Sequence, residues 1–207
     1  TAQQDLFVGA QGRNNDLQVT DGGQLDIAKN LYLGNNATAT GNEAMTGGNA
    51  VLNVGGNVVV GDRGGNNAFS IDHGTVAVSN DLVLGARSAN NRYTQTGGTN
   101  TVAGGFMVGQ NEEATGDTFT GPGAFESDDK MTSGNLAFAG TNAFVGIQEN
   151  LTVGLEGAGS VFVIRDGGTI EVGQNAIIGE NAGDNVIYLQ RDSNTQFKVA
   201  NDLVVGM

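Results

Sequence analysis

The sequence predicts an all-β fold, a single parallel β-helix (β-solenoid) of about eight rungs of 24–27 residues with three short strands each. Two observations predict it. A phrase of Asn or Asp, an apolar residue, any residue, an apolar residue and Gly occurs eight times with small variations. Its closing glycines lie 25, 27, 24, 24, 45, 25 and 27 residues apart, so six of seven intervals agree. Such a period is typical of solenoids, whose repeats bury their faces only against neighbouring repeats.

The phrase predicts the first strand of each rung. Its copies lie at 6–9, 31–34, 58–61, 82–85, 106–109, 151–154, 176–179 and 203–206. Because alternate residues of a strand share a face, the two flanking apolar residues are expected to point inward and the middle one outward. The expected inward column is Leu6, Leu31, Val58, Leu82, Phe106, Leu151, Ala176 and Leu203.

Two further alternating segments between successive phrases predict the second and third strands. Second strands are expected at 16–19, 68–71, 161–164 and 186–189. Third strands are expected at 25–27, 52–54, 76–78, 136–138, 170–172 and 197–199. Identical phrases stack on one another only if the three strands coil, which gives about 4.8 Å of rise per rung and a rod of about 34 Å.

The corners before the first strand carry Asn or Asp in seven of eight copies, with Gly105 as the exception. Stacked Asn side chains can hydrogen-bond along the axis, and both residue types tolerate left-handed turn conformations. We therefore predict a structural turn ladder, with metal or ligand binding as the less favoured alternative. The predicted ladder is Asp5, Asn30, Asn57, Asp81, Asn150, Asn175 and Asp202.

The outward residues of the first strand are apolar except for Thr152. We predict that they form a stripe for assembly or lateral contact with another protomer or partner. The alternative is an exposed row of residues with high β-propensity, or one covered by an insertion. The stripe is Phe7, Tyr32, Val59, Val83, Met107, Ile177 and Val204. The third strand is expected to present a polar face instead, formed by Asp26, Asn53, Ala77, Ala137, Glu171 and Lys198.

The uniform period predicts one domain over 1–207, with an acidic loop insertion at about 110–133 and a smaller insertion near 140–149. The acidic loop is interpreted as a solvated loop, the alternative being a site for a cation or a basic partner. The phrase reaches close to both ends of the sequence. We expect each end to be completed by further repeats or by the opposite end of an identical molecule, the latter giving a filament.

Composition narrows the function. With 22 acidic and 9 basic residues the net charge is −13, which argues against nucleic acid as a partner. No apolar run approaches the roughly 18 residues of a membrane-spanning helix, so no membrane insertion is expected. The absence of cysteine excludes disulfides, thiolate metal sites and a cysteine nucleophile.

Candidate chemical groups are sparse. His73 is the only histidine, which excludes a site with several histidine ligands. Asp21, Asp72, Asp166 and Asp192 precede the third strand, and Arg165 and Arg191 adjoin the last two, which favours a ladder of ion pairs over a catalytic site. We expect no enzyme activity and no cofactor. The Gly-Gly-x-Gly-x-Asp calcium repeat is absent, which leaves only weak single calcium sites open.

The repeated Asn-Leu-x-Val-Gly followed by Gly-Gly-x-Leu-x-Val resembles the β-helical repeat regions of bacterial exported surface proteins: autotransporter passengers, adhesins and extracellular filament subunits. This resemblance implies an extracellular or cell-surface location. We expect a non-enzymatic structural subunit that self-associates head to tail into a filament or surface fibre. The alternative is a fragment of a monomeric adhesin or autotransporter passenger that binds a host or carbohydrate target. A third is a polysaccharide-degrading β-helix.

Overall fold

The computed structural model describes residues 1–111, 136–140, 143–190 and 194–206, which form three parallel sheets and no helix. The first-strand sheet contains β1 (Leu6–Val8), β4 (Leu31–Leu33), β7 (Val58–Val60), β10 (Leu82–Leu84), β13 (Phe106–Val108), β16 (Leu151–Val153), β19 (Ala176–Ile178) and β22 (Leu203–Val205). The second-strand sheet contains β2 (Asp16–Val19), β5 (Glu43–Gly47), β8 (Ala68–Asp72), β11 (Arg92–Gln95), β14 (Leu136–Ala139), β17 (Val161–Ile164) and β20 (Val186–Leu189). The third-strand sheet contains β3 (Gln24–Ile27), β6 (Val51–Val54), β9 (Thr75–Val78), β12 (Thr99–Val102), β15 (Phe144–Ile147), β18 (Thr169–Val172) and β21 (Gln196–Val199).

Each strand pairs in parallel with its counterpart in the neighbouring turns, without a shift in register. Leu31, for example, lies opposite Leu6 on one side and Val58 on the other. The chain therefore coils into a β-solenoid of about seven turns, with β22 beginning an eighth. The predicted fold class is confirmed, and the eight phrases correspond to eight first strands.

The core is the interior of the coil. Leu31, Val58, Leu82, Phe106, Leu151 and Ala176 are fully buried, as the alternation predicts. At the two axial faces the column is open: Leu6 is half-buried and Leu203 is 55% exposed. Burial of the column thus requires a turn stacked on both sides.

An aromatic stack runs through the middle of this core. Phe69 packs on Tyr93 with ring centroids 6.0 Å apart, and Phe106 lies edge-on to Tyr93 at 5.3 Å. Phe162 continues the stack edge-on to Phe106 at 5.4 Å. All four side chains are fully buried, so this stack fills the middle of the interior with specific aromatic contacts.

The turn that follows the long interval differs from its sequence interpretation. The segment 136–138 was predicted as a third strand, but β14 pairs with β11 and β17 in the second-strand sheet. The third strand of this turn is β15, which pairs with β12 and β18. Ala137 was predicted to point outward from the third strand, but it points inward and is fully buried. Gly146 occupies the outward position instead.

This correction also places the extra residues. Twenty-seven residues separate β13 from β14, against seven between β10 and β11, so the extra length enters at the first corner. The segment near 140–149, predicted to hold a smaller insertion, contains β15, and its residues 141 and 142 lie outside the described residues. Most of the predicted acidic insertion at 110–133 lies outside the described residues.

Three of the strands that the alternation did not indicate, β5, β11 and β12, point polar side chains inward. Thr46, Gln95 and Asn100 occupy core positions and are fully buried. An inward polar residue removes the apolar half of the period-two pattern, which is why these strands escape a hydrophobicity criterion.

Truncating the aromatic stack should destabilise the solenoid far more than truncating an exposed aromatic. We expect Phe162→Ala to lower the free energy of unfolding by about 3–5 kcal/mol, because it leaves a cavity between fixed neighbours. Phe7→Ala, at a ring that is 43% exposed, should cost only about 1 kcal/mol. Urea unfolding followed by circular dichroism measures both, and equal losses would contradict the interior packing described above.

Candidate functional site

The corner before the first strand carries a ladder of hydrogen bonds along the axis. Asp5 Oδ1 accepts the Asn30 backbone N–H at 3.0 Å, and Asn30 Oδ1 accepts that of Asn57 at 2.8 Å. Each hydrogen bond of this ladder joins a side-chain oxygen of one turn to a backbone N–H of the following turn. The series continues through Asn57 to Asp81 (3.1 Å), Asp81 to Gly105 (2.9 Å), Asn150 to Asn175 (3.0 Å) and Asn175 to Asp202 (3.2 Å).

All seven residues of the predicted turn ladder therefore lie in this column. Gly105 interrupts it, because glycine offers no side-chain oxygen to Asn150 in the next turn. Most hydrogen bonds of this ladder join a side chain to the backbone. Asn30 Nδ2 also donates to Asp5 Oδ1 at 2.9 Å, which is a bond between two side chains. These bonds provide acceptors for backbone N–H groups at the corners, which have no partner in the hydrogen bonding of the β-sheets.

A second ladder, which the sequence interpretation missed, precedes the second strand. Asn42 Oδ1 accepts the Asn15 N–H at 3.1 Å, Asn67 Oδ1 accepts the Asn42 N–H at 3.0 Å, and Asn91 Oδ1 accepts the Asn67 N–H at 3.1 Å. Here the oxygen belongs to the following turn, so this ladder runs opposite to the first. Asn42, Asn67 and Asn91 are at most 1% exposed. The recurrence of Asn directly before the second strand was the available signal.

The second ladder explains the glycine that closes the first strand. Gly9, Gly34 and Gly61 have φ of 72°, 72° and 78°, in the left-handed region. A Cβ atom added at Gly61 would overlap the side chain of Asn91 in the next turn. Conformation and contact therefore both require glycine at this corner.

The predicted lateral stripe forms one column on the outside of the first-strand sheet. Phe7, Tyr32 and Val59 lie opposite one another in register, and pairing carries the column through Val83, Met107, Thr152 and Ile177 to Val204. Phe7 and Tyr32 stack with centroids 5.2 Å apart. Burial raises the pKa of the Tyr32 hydroxyl, and the carboxylates of Asp5 and Asp62 raise it further.

Exposure varies along this column. Phe7 is 43% exposed, whereas Val59 and Val83 are only 8% and 6% exposed. These two valines form a small outer cluster with Ala86, against which Tyr32 and Met107 pack. The middle of the column is thus already packed, and its accessible apolar surface lies toward its ends.

The outside of the third-strand sheet is polar, as expected for Asp26, Asn53, Glu171 and Lys198. Asn53 Nδ2 donates to Asp26 Oδ1 at 2.7 Å, and Gln24 Nε2 donates to the same oxygen at 3.0 Å. These hydrogen bonds, that from Asn53 first, lower the pKa of Asp26. Farther along the face, Lys198 Nζ lies 2.8 Å from Glu171 Oε1.

Of the acidic residues before the third strand, the structure describes Asp21, Asp72 and Asp166, which lie in three different turns. His73 Nδ1 lies 2.6 Å from Asp72 Oδ1, to which Thr96 Oγ1 also donates at 3.0 Å, and the His73 and Asp72 side chains are 65% and 61% exposed. Arg165 Nε lies 3.1 Å from Asp166 Oδ2. Asp21 and Asp166 have positive φ, which identifies them as turn formers. The predicted pairing with Arg191 and Asp192 lies outside the described residues.

Within the described part of the chain, no three His, Cys, Asp or Glu side chains cluster in a way that could hold a metal ion. The same residues contain no helix suited to span a membrane. Comparison of the chain with protein-family models, with curated proteins and with solved structures finds no significant match. The surfaces of the solenoid are therefore the features that bear on its function.

The contact between glycine and asparagine can be tested by two alanine substitutions that share one backbone strain. Gly61 and Gly22 have φ of 78° and 75°, but a Cβ at Gly22 would meet nothing within 4 Å. Gly22→Ala should cost about 1–2 kcal/mol for the left-handed conformation alone. Gly61→Ala should cost at least about 1 kcal/mol more, because it displaces Asn91. Equal urea midpoints for the two variants would contradict the packing role of the second ladder.

The hydrogen bonds to Asp26 predict a titration effect. Asn53→Ala should raise the pKa of Asp26 toward its ordinary value, and Gln24→Ala should raise it less. Because the folded pKa lies below the unfolded one, the stability that Asp26 contributes is present above the unfolded pKa. It is lost as pH falls through the folded pKa. NMR titration of the Asp26 carboxyl carbon measures the shift, and an unchanged pKa in Asn53→Ala would refute the assignment.

Proposed function

We propose that this protein is a non-enzymatic extracellular structural subunit whose copies stack head to tail along the solenoid axis into a filament or surface fibre. One observation carries the proposal. At the axial face formed by β22, the core residues Leu203 and Val205 are 55% and 70% exposed, whereas Leu31 and Leu33 at the same places in an inner turn are fully buried. A further turn stacked there would remove this apolar surface from water.

The first ladder supports a head-to-tail orientation. If β1 of a second copy pairs on β22, the Asp5 N–H of that copy lies over Asp202 Oδ1. This hydrogen bond would point in the same direction as those of the first ladder within the chain. The exposed Phe7 ring then packs on Val204, as it packs on Tyr32 on its other side. A head-to-head contact would reverse the donor and acceptor order of this ladder at the junction. The expected filament is therefore polar.

The proposed junction is weaker than the contact between two turns of one chain. The first-strand sheet continues from β22 to β1 of the next copy. The second-strand and third-strand sheets are interrupted, because no described strand follows β20 or β21 in the turn that β22 begins. We therefore expect assembly to depend strongly on protein concentration.

Other properties fit a structural role outside the cell. The chain has no cysteine, a net charge of −13 and the repeat style of exported surface proteins. The His73 and Asp72 side chains are largely exposed, unlike the enclosed groups of most active sites. The partly exposed apolar residues of the lateral column, Tyr32, Met107 and Ile177, provide surface through which filaments would associate side by side.

Assembly is tested by light scattering and negative-stain electron microscopy over a concentration series. Val205→Arg places a charge in the proposed junction at a side chain that is 70% exposed in the single chain, so the fold should be retained. We expect the concentration needed for filaments to rise at least about tenfold.

The matched control is Thr75→Arg, which adds the same charge at an exposed position on the side of the rod. It should assemble like the unmodified chain. A monodisperse monomer at all concentrations, or filaments that Val205→Arg leaves unaffected, would refute axial stacking.

A further inference from the structure

A half-buried aromatic side chain lies on the mainly polar third-strand face. Phe144 and Gly146 both point outward from β15, two residues apart on the same strand. A Cβ atom built on Gly146 would lie 3.0 Å from Phe144 Cε1 and 3.4 Å from Cζ, so one edge of the ring packs against the glycine. The Phe144 side chain is half-buried.

Polar groups surround this ring. Phe144, Thr101, Gln148, Glu171 and Lys198 line a shallow groove of about 690 Å³. Thr101, Glu171 and Lys198 belong to turns that stack on either side of Gly146, so the groove extends about 10–15 Å along the axis. Gly146, Gly173 and Ala200 keep its floor low, because they carry little or no side chain.

The strand that carries the ring is fixed from inside the core. The Phe144 N–H donates to Gly98 O at 3.0 Å, and Phe144 O accepts from Gln95 Nε2 at 3.1 Å. Gln95 Oε1 in turn accepts the Tyr93 hydroxyl at 2.5 Å, and Asn100 Nδ2 donates to that hydroxyl at 2.9 Å. Tyr93, Gln95 and Asn100 are fully buried, and burial raises the pKa of Tyr93, which keeps the hydroxyl protonated as a donor. This network fixes the backbone at Phe144, which lowers the entropy lost when a ligand orders the strand.

We infer that the groove over Phe144 and Gly146 binds a neutral oligosaccharide segment. A pyranose ring has an apolar C–H face that packs on an aromatic ring and a rim of hydroxyls that both donate and accept hydrogen bonds. Here the rim meets a hydroxyl, an amide, a carboxylate and an ammonium group. The Glu171–Lys198 pair is neutral overall and the chain carries −13, so the surface disfavours a polyanionic glycan.

This site goes beyond the structural role proposed above and is independent of it. The groove lies on the side of the rod, and the two stacking faces lie at its ends. A filament would repeat the groove once per copy, which converts weak single-site binding into avidity for a polymeric glycan.

The test uses the intact chain with cellotetraose, maltotetraose and chitotetraose as neutral probes and tetragalacturonate as the charged one. Saturation-transfer NMR and isothermal titration should show at least one neutral tetrasaccharide bound with a millimolar or tighter Kd. No binding by any neutral probe, or binding of tetragalacturonate alone, would overturn the inference.

Variants locate the site. Phe144→Ala should raise the Kd about tenfold. Phe144→Tyr keeps an aromatic ring at this position, and its Kd should stay within about threefold of that of the unmodified chain. The matched control is Phe7→Ala, which removes an exposed ring from another face and should leave Kd unchanged. If Phe144→Ala misfolds by circular dichroism, Glu171→Gln at a side chain 46% exposed supplies the second test, with an expected weakening of at least about threefold. Full affinity in the folded Phe144→Ala and Glu171→Gln variants would place the sugar elsewhere.

Discussion

The structure depends on one constraint: each residue stacks on the residue at the same position of the next turn, about 4.8 Å away. Backbone pairing in three parallel sheets satisfies the strands, but the corners between them also carry N–H groups that need acceptors. The two ladders supply these acceptors with Asn and Asp side chains that reach the adjacent turn. Because one ladder points its oxygens toward the following turn and the other toward the preceding turn, register is fixed from both directions along the axis.

The same constraint accounts for the glycine content. At the corner after the first strand, the chain must enter the left-handed region and also leave room for the asparagine of the next turn. Glycine and asparagine at these two corners therefore form one unit, repeated where Gly34 meets Asn67 and Gly61 meets Asn91. Where Ser160 replaces the asparagine, its N–H still donates to Asn185 Oδ1 at 2.8 Å, so the ladder tolerates the exchange in the donor turn.

Sequence periodicity identified the fold and the inward column because apolar residues alternate with others wherever the core is purely hydrophobic. It failed where the core is polar: β11 and β12 place Gln95 and Asn100 inside, and hydrophobicity then gives no strand signal. It also failed at β14, because the alternation in Leu-Ala-Phe-Ala fits a second or a third strand equally well. Only pairing with β11 and β17 decides between them. The buried asparagines were visible as a recurrence, but their burial was not, since Asn is usually exposed.

Three of these failures, at β11, β12 and β14, fall in two neighbouring turns, and there the solenoid departs most from its own repeat. A regular solenoid needs only apolar residues inside and small or polar ones outside, so a buried Tyr93–Gln95–Asn100 network is an extra cost for stability alone. The side-chain oxygen Oδ1 of Asn100 has no hydrogen-bond partner among the described residues. The network holds the carbonyl of Phe144 through Gln95, and Phe144 is the residue whose ring breaks the polarity of the outer face. Local departures from an otherwise consistent pattern are expected where function imposes a second requirement. The regular columns build the rod, and the irregular turn is where a ligand specificity of its own is best sought.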